Sequence, residues 1–185
     1  MSDSTRRRVL RYGLASGAAL LATGVSPPSA QPSPKVEGQE DDSKEKGRDM
    51  QDLPEKSIKM LTEKAKEASG NAYCPYSKFK VGAAVLTEDG QIFTGCNVEN
   101  ASYGLTICAE RNAIFHMVAQ AKQKIRALVV YTPTKTPTAP CGACRQVINE
   151  FGPEALILSV CEGPNVLKKK LSDLIPDAFG PANLK

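Results

Sequence analysis

Three cysteines constrain this chain more than any other feature. Residues 107–114 read ICAERNAI and residues 140–146 read PCGACRQ. Cys108 therefore stands two residues ahead of Glu110, and Cys141 and Cys144 follow 33 and 36 residues after Cys108. On the first turn of a helix, a spacing of three puts two sulfurs on one face, with Cβ atoms about 5–6 Å apart. Two thiolates so placed can reach one zinc ion at about 2.3 Å each. Pro140 occupies a position where helices commonly begin. Cys108 also stands at a predicted helix start, where exposed N–H groups favour thiolate over thiol. A fold that uses all three sulfurs together must aim two helix starts at one point.

The ligand count decides what such a site could do. The chain holds six cysteines and one histidine. His116 lies eight residues beyond Cys108, about 12 Å further along the helix axis, too far to share the ion. It reads as a helix-face or core residue. Cys74, Cys96 and Cys161 have no partner at ligand spacing and read as buried cysteines of apolar strands or loops. Three protein ligands remain, as in catalytic zinc sites, which keep a position open for water. Glu110 would overlook that position, which is a hydrolytic arrangement. A lone C-x-x-C could also be a redox pair or half of a structural zinc site. The redox reading leaves Cys108 and Glu110 without a role, and the structural one lacks a fourth ligand. C-x-E followed by P-C-x-x-C is far more specific and is the pattern of zinc deaminases.

The rest of the chain supplies a frame for two such helices. Apolar or small residues at Ile58, Leu61, Ala65 and Ala68 predict an amphipathic helix ending near Gly70. A loop follows over 73–79. Residues 81–86 and 92–96 predict a hairpin around Glu88-Asp89-Gly90. A helix from Cys108 runs through Ile114, Met117 and Val118 to about Ala121, then a buried strand over 127–131 and a Thr/Pro loop over 132–140. A helix over 141–150 stops at Gly152-Pro153. A buried strand over 156–160, a fifth strand near 166–169 and a short helix near 171–174 complete the order. Helices alternating with apolar strands predict a layered α/β domain with helices on both faces of a mixed sheet.

Residues 1–30 differ in kind. The stretch 5–11, TRRRVLR, is basic and resembles a twin-arginine export motif, and residues 13–25 are a weakly apolar run of 13. That run falls short of the roughly 20 residues a bilayer span needs, so it reads as a signal segment and predicts no stable membrane association. The implied destination is periplasmic or otherwise extracytoplasmic. A start at Met50 is the alternative and would make the protein cytoplasmic. Residues 31–50 are polar and charged, and predict a disordered linker. Residues 51–185 form the folded domain. Net charge is only +4, with 24 basic and 20 acidic residues, and no basic stripe predicts a nucleic-acid partner.

Several stretches in one order, AYCPYSKFKVGAAV, GCNVENASYG, CAERNAI, PCGACRQVI and AFGP, resemble the cytidine deaminase family of the small homotetrameric type. The resemblance runs from about Ala72 to Leu184. It implies a three-layer α/β/α cytidine deaminase-like fold with a mixed five-stranded sheet. It implies one zinc ion per subunit on Cys108, Cys141 and Cys144, with Glu110 shuttling protons while water attacks C4 of the pyrimidine. Arg111 would offset the anionic sulfurs. Asn97 and Glu99 would hold the ribose hydroxyls, Phe79 would pack on the base, and Ala109 would offer it backbone. Tyr103 and Phe179 match positions that reach a neighbouring subunit's pocket, which implies a homotetramer with shared active sites. The implied reaction is hydrolytic deamination of cytidine and 2′-deoxycytidine, a pyrimidine salvage step. The same zinc chemistry in another pocket, as for blasticidin S, is the alternative; a polynucleotide deaminase and a non-enzymatic zinc-stabilised module are further ones. The chain departs from the family in its N-terminal extension and, mildly, in ENASYGLTIC.

Overall fold

The computed structural model describes residues 53–184. The predicted signal segment and linker lie outside the described residues. The elements run α1 (Glu55–Ser69), β1 (Gly82–Thr87), β2 (Ile92–Cys96), α2 (Ala109–Ala119), β3 (Ile125–Tyr131), α3 (Gly142–Phe151), β4 (Leu156–Val160), β5 (Leu167–Lys170) and α4 (Leu171–Leu174). Short 3₁₀ turns occur at Tyr103–Leu105 and Pro181–Leu184. Among the described residues, no helix is long and apolar enough to cross a membrane.

The five strands form one sheet in the order β2-β1-β3-β4-β5. β3 and β4 pair in parallel, and the other neighbours are antiparallel. A parallel pair needs a crossover, which α3 supplies. The central strands are largely apolar, with Thr87, Arg126 and Ser159 as the exceptions, because both of their faces are covered. Ala83 and Val85 of β1, Leu128 and Val130 of β3 and Ile157 of β4 turn to one side. There they meet Ala109, Ala113, Ile114 and Met117 of α2 and Ile148 of α3. Ala84, Leu86, Ala127, Val129, Leu156 and Leu158 turn to the other side, against Leu61 and Ala65 of α1. The result is three layers. Leu61 is fully buried, and truncating it to Ala would cost about 2–5 kcal/mol.

Two glycines set how closely the helices lie on the sheet. A Cβ at Gly82 would stand 1.9 Å from the Ala65 carbonyl oxygen of α1. A Cβ at Gly95 would stand 2.3 Å from the Ala113 nitrogen and 2.6 Å from the Ala109 oxygen of α2. Any side chain at Gly95 would lift α2, and with it the first turn that follows Cys108.

The predicted elements are all present. Of the apolar residues named along α2, Ile114 and Met117 are fully buried and Val118 is 36% exposed. Cys74 is buried as predicted, whereas Cys96 and Cys161 are only half-buried because both sit where a strand gives way to loop. The two edges of the sheet differ. β5 carries Lys168, Lys169 and Lys170, while the outer side of β2 is met by α2.

Candidate metal centre

α2 and α3 both begin at a cysteine. Cys108 caps α2 with φ −71° and ψ 156°, and Cys141 caps α3 with φ −67° and ψ 166°. Neither side chain caps its own helix, so both sulfurs are free to turn elsewhere. Pro140 lies one residue further out than predicted, ahead of the cap, because Cys141 is still extended. Cys144 stands on the first turn of α3 and is fully buried. The three sulfurs lie within 4.8 Å of one another, with Cys108 and Cys141 3.9 Å apart. Two donors at 2.3 Å from a tetrahedral ion are about 3.8 Å apart, so this pair is already at the spacing of ligands to one zinc.

The electrostatics match the geometry. The neighbouring Cys144 thiol holds Cys108 down to about 5, with help from Arg111. The Cys108 sulfur beside it, together with burial, pushes the Cys144 thiol well up. Cys108 and Cys144 thus hold their protons unequally, a difference that a divalent cation bound to both would remove. Arg111 Nη2 lies 3.7 Å from Cys108 Sγ and 3.3 Å from the Thr106 oxygen. Contact with Cys108 raises the guanidinium further, and its Nε is buried with no hydrogen-bond partner. A half-buried cation thus already stands against Cys108, where thiolates would offset it. The donor set and its surroundings fit zinc.

Glu110, two residues into the same helix, is 4% exposed. Burial pushes its carboxyl up, and the Cys108 charge adds to this. A raised carboxyl beside an open coordination position can both take and return a proton. Ala109, fully buried, is the first helical residue between Cys108 and Glu110.

A second group of predicted residues surrounds the end of β2. The Asn97 side chain is buried and bridges the backbone of the 73–81 loop. Its Nδ2 donates to the Phe79 oxygen and its Oδ1 accepts from the Val81 N–H, both at 2.8 Å. Glu99 accepts from the Tyr76 N–H at 2.9 Å, the Ser77 N–H at 3.2 Å and the Ser77 hydroxyl. These donors, the Ser77 hydroxyl foremost, hold its carboxyl below the usual range. Asn97 and Glu99 thus point the same way, toward this loop. Phe79 is 37% exposed and is no core residue. Tyr103 is 75% exposed and meets Tyr76 edge-on at 5.8 Å.

One short bridge joins the two groups. Val98, between Asn97 and Glu99, pairs antiparallel with Ile107, the residue before Cys108. The Val98 N–H donates to the Ile107 oxygen and the Ile107 N–H to the Val98 oxygen, both at 3.0 Å. The sulfurs and the Asn97–Glu99 pair are therefore neighbours through backbone. Phe179 is placed by a separate contact. It is 61% exposed, and its carbonyl accepts from Gln146 Nε2 of α3 at 2.8 Å.

Some participants were not legible in advance. Ser77 anchors Glu99. Arg145 donates to the Pro140 oxygen at 2.7 Å and to the Leu174 oxygen at 2.7 Å, tying the segment before Cys141 to the C-terminal region. A side chain that serves a distant carbonyl leaves no spacing to read. His116 is on the exposed face of α2 and is no ligand, as its distance along the helix predicts.

Residues 55–160 match the model of the cytidine and deoxycytidylate deaminase zinc-binding region. The cytidine deaminase of Sporosarcina psychrophila is 44% identical over 129 residues, which is 69% of this chain and 94% of that protein. The crystal structure of cytidine deaminase from Burkholderia pseudomallei is similar at 49% identity and a TM-score of 0.63, covering 65% of this chain and 98% of that one. The Mycobacterium tuberculosis cytidine deaminase structure covers 70% of this chain and 99% of its own, at 42% identity and a TM-score of 0.60.

Proposed function

The chain belongs to the zinc-binding cytidine and deoxycytidylate deaminases, and from that premise we propose that it hydrolytically deaminates cytidine and 2′-deoxycytidine to uridine and 2′-deoxyuridine. The observation that carries this reading is the convergence of three sulfurs from two helix starts beside a buried carboxyl. Cys108, Cys141 and Cys144 hold zinc, whose Lewis acidity lets water ionise near neutral pH.

The chain's own residues do the remaining work. Glu110 accepts a proton from the attacking water and delivers it to N3 of the pyrimidine. It then takes the proton of the new C4 hydroxyl and passes it to the amino group, which leaves as ammonia while the C4 carbonyl forms. Its raised carboxyl suits both directions of transfer. Arg111 balances the sulfurs' charge. Ala109 offers backbone to the base, and Phe79 covers it. Asn97 and Glu99 hold the ribose. Each end of the Asn97 amide has one hydrogen-bonding position left after its loop contacts. A carboxylate beside the sugar accepts hydroxyls and repels phosphate, which selects a free nucleoside over a nucleotide or a polynucleotide.

Two further parts of the reading concern assembly and address. Tyr103, Leu105, Phe115 and Phe179 are large apolar groups between 48% and 75% exposed, which suits a surface that other subunits cover. We infer a homotetramer in which Tyr103 and Phe179 complete a neighbour's pocket, a state that sedimentation of the purified protein checks. The basic stretch over 5–11 and the apolar run over 13–25 support export by a twin-arginine route, and N-terminal sequencing of the native protein checks that. Return of uridine from cytidine is the chemistry of pyrimidine salvage.

The deciding experiment is Glu110→Gln. The variant should keep its fold and one zinc per chain while kcat for cytidine falls about 10²–10⁴-fold. Full activity in that variant would overturn the assignment.

A further inference from the structure

We propose that Asn112 and His116 are positioning residues for the deamination site, holding α2 in register on the outer edge of β2; this rests on the functional reading above. β2 ends the sheet, so its outward carbonyls have no strand to serve them. α2 takes two of them. Asn112 Nδ2 donates to the Cys96 oxygen at 2.8 Å, and His116 Nδ1 lies 3.3 Å from the Thr94 oxygen. Because that oxygen only accepts, the His116 proton in this contact sits on Nδ1.

The spacing is what makes the pair a register lock. Asn112 and His116 are four apart on one helical face, about 6 Å along the axis. Thr94 and Cys96 are two apart on one side of a strand, about 6.7 Å. The two repeats match when helix and strand run antiparallel, and the pairing Asn112 to Cys96 and His116 to Thr94 has that direction. Gly95, between the two carbonyls, lacks the Cβ that would separate helix from strand. The His116 ring also meets Phe93 edge-on at 5.4 Å.

The lock connects the two halves of the site. Cys108 and Glu110 stand at the start of α2, while Asn97 and Glu99 follow directly from Cys96. The Val98–Ile107 bridge fixes the near end of α2 and by itself leaves a pivot. Core packing of Ala113, Ile114 and Met117 seats the helix on the sheet, and Asn112 and His116 add two directional bonds that fix its register along β2. The bonds thus set where Glu110 stands relative to the groups that hold the sugar. Misplacement by about 1 Å can cost on the order of 10²-fold in rate.

The test uses the full, zinc-loaded chain with Asn112→Ala, His116→Asn and His116→Gln. Asn carries its amide nitrogen where His carries Nδ1, whereas Gln carries it near Nε2. N112A and H116Q are expected to keep one zinc per chain and lose about tenfold in kcat/KM for cytidine, while H116N stays within about twofold of wild type. Combining N112A with N97A should cost less than the product of the two single losses, because both act on the same alignment. The inference is overturned if zinc-loaded N112A stays within about twofold of wild type, or if H116N and H116Q lose activity equally. The histidine pair decides the matter alone should N112A fail to fold. Wild-type protein that holds zinc and leaves cytidine unchanged would overturn the functional reading, and this inference with it; wild-type turnover with unaffected variants overturns the lock alone.

Discussion

The two halves of the site treat their polar groups in opposite ways. Around the sulfurs, needs go unmet. Cys108 and Cys144 share protons unequally, Glu110 is a carboxyl in a dry place, and Arg111 Nε has no partner. Around the end of β2, each need is met locally, since Asn97 and Glu99 are both saturated on one side by the 73–81 loop. A group that must change its protonation cannot also be fully committed, whereas one that must hold a shape should be. The difference teaches that the first half is completed by zinc and substrate, and the second is built before either arrives.

That contrast can be broken at either end, and the effects should decline from one half to the other. The largest loss is expected for Cys144→Ala. It removes a fully buried ligand, so zinc content should fall below one-tenth of a mole per chain and turnover should become undetectable; metal analysis beside an ultraviolet assay checks this. Arg111→Ala comes next. It leaves the ligands in place but strips the cation from Cys108, and zinc affinity measured against a chelator should weaken about 10–100-fold. A variant that bound zinc normally would show that the guanidinium does no electrostatic work on the sulfurs.

In the second half the effects should be on shape. Asn97→Ala frees the Phe79 carbonyl and the Val81 N–H together, and should destabilise the domain by about 1–3 kcal/mol in urea titration while sparing zinc. Zinc loss in that variant would mean the halves are not separable. Ser77→Ala is the mildest, removing one of three donors to Glu99, with an expected rise in KM of about two- to fivefold and kcat unchanged. Its signature is in pH. The Glu99 carboxyl titrates lower folded than its ordinary 4.5, so its stabilisation is complete above that value and is lost as pH falls through the lower folded value. Wild type should therefore lose more stability than S77A between pH 6 and pH 3. Equal losses would remove Ser77 from the account.

The same contrast explains what could be read without coordinates. The strands were legible because apolar runs such as those over 127–131 and 156–160 admit few other fates. The ligands were legible because three sulfurs and a carboxyl at helical spacing are rare. Helix starts were displaced slightly, since Cys108 and Cys141 are extended caps and not helical residues. The second half was legible only by likeness. Asn97 works through carbonyl and amide groups 16 and 18 residues away, and every residue type presents those. Asn112 and His116 were hidden for the same reason, because an unpaired edge carbonyl has no letter of its own.

The lysines of β5 carry a consequence outside chemistry. A bare strand edge invites a second molecule to add its own strand, and then a third, into a filament. Here three consecutive lysines, Lys170 among them paired with Glu154, make one end of the sheet a poor template, and Asn112 and His116 of α2 take two carbonyls at the other. Protein held at high concentration should therefore resist fibrous aggregation, and whatever assembly it forms must be built from helix sides and loops.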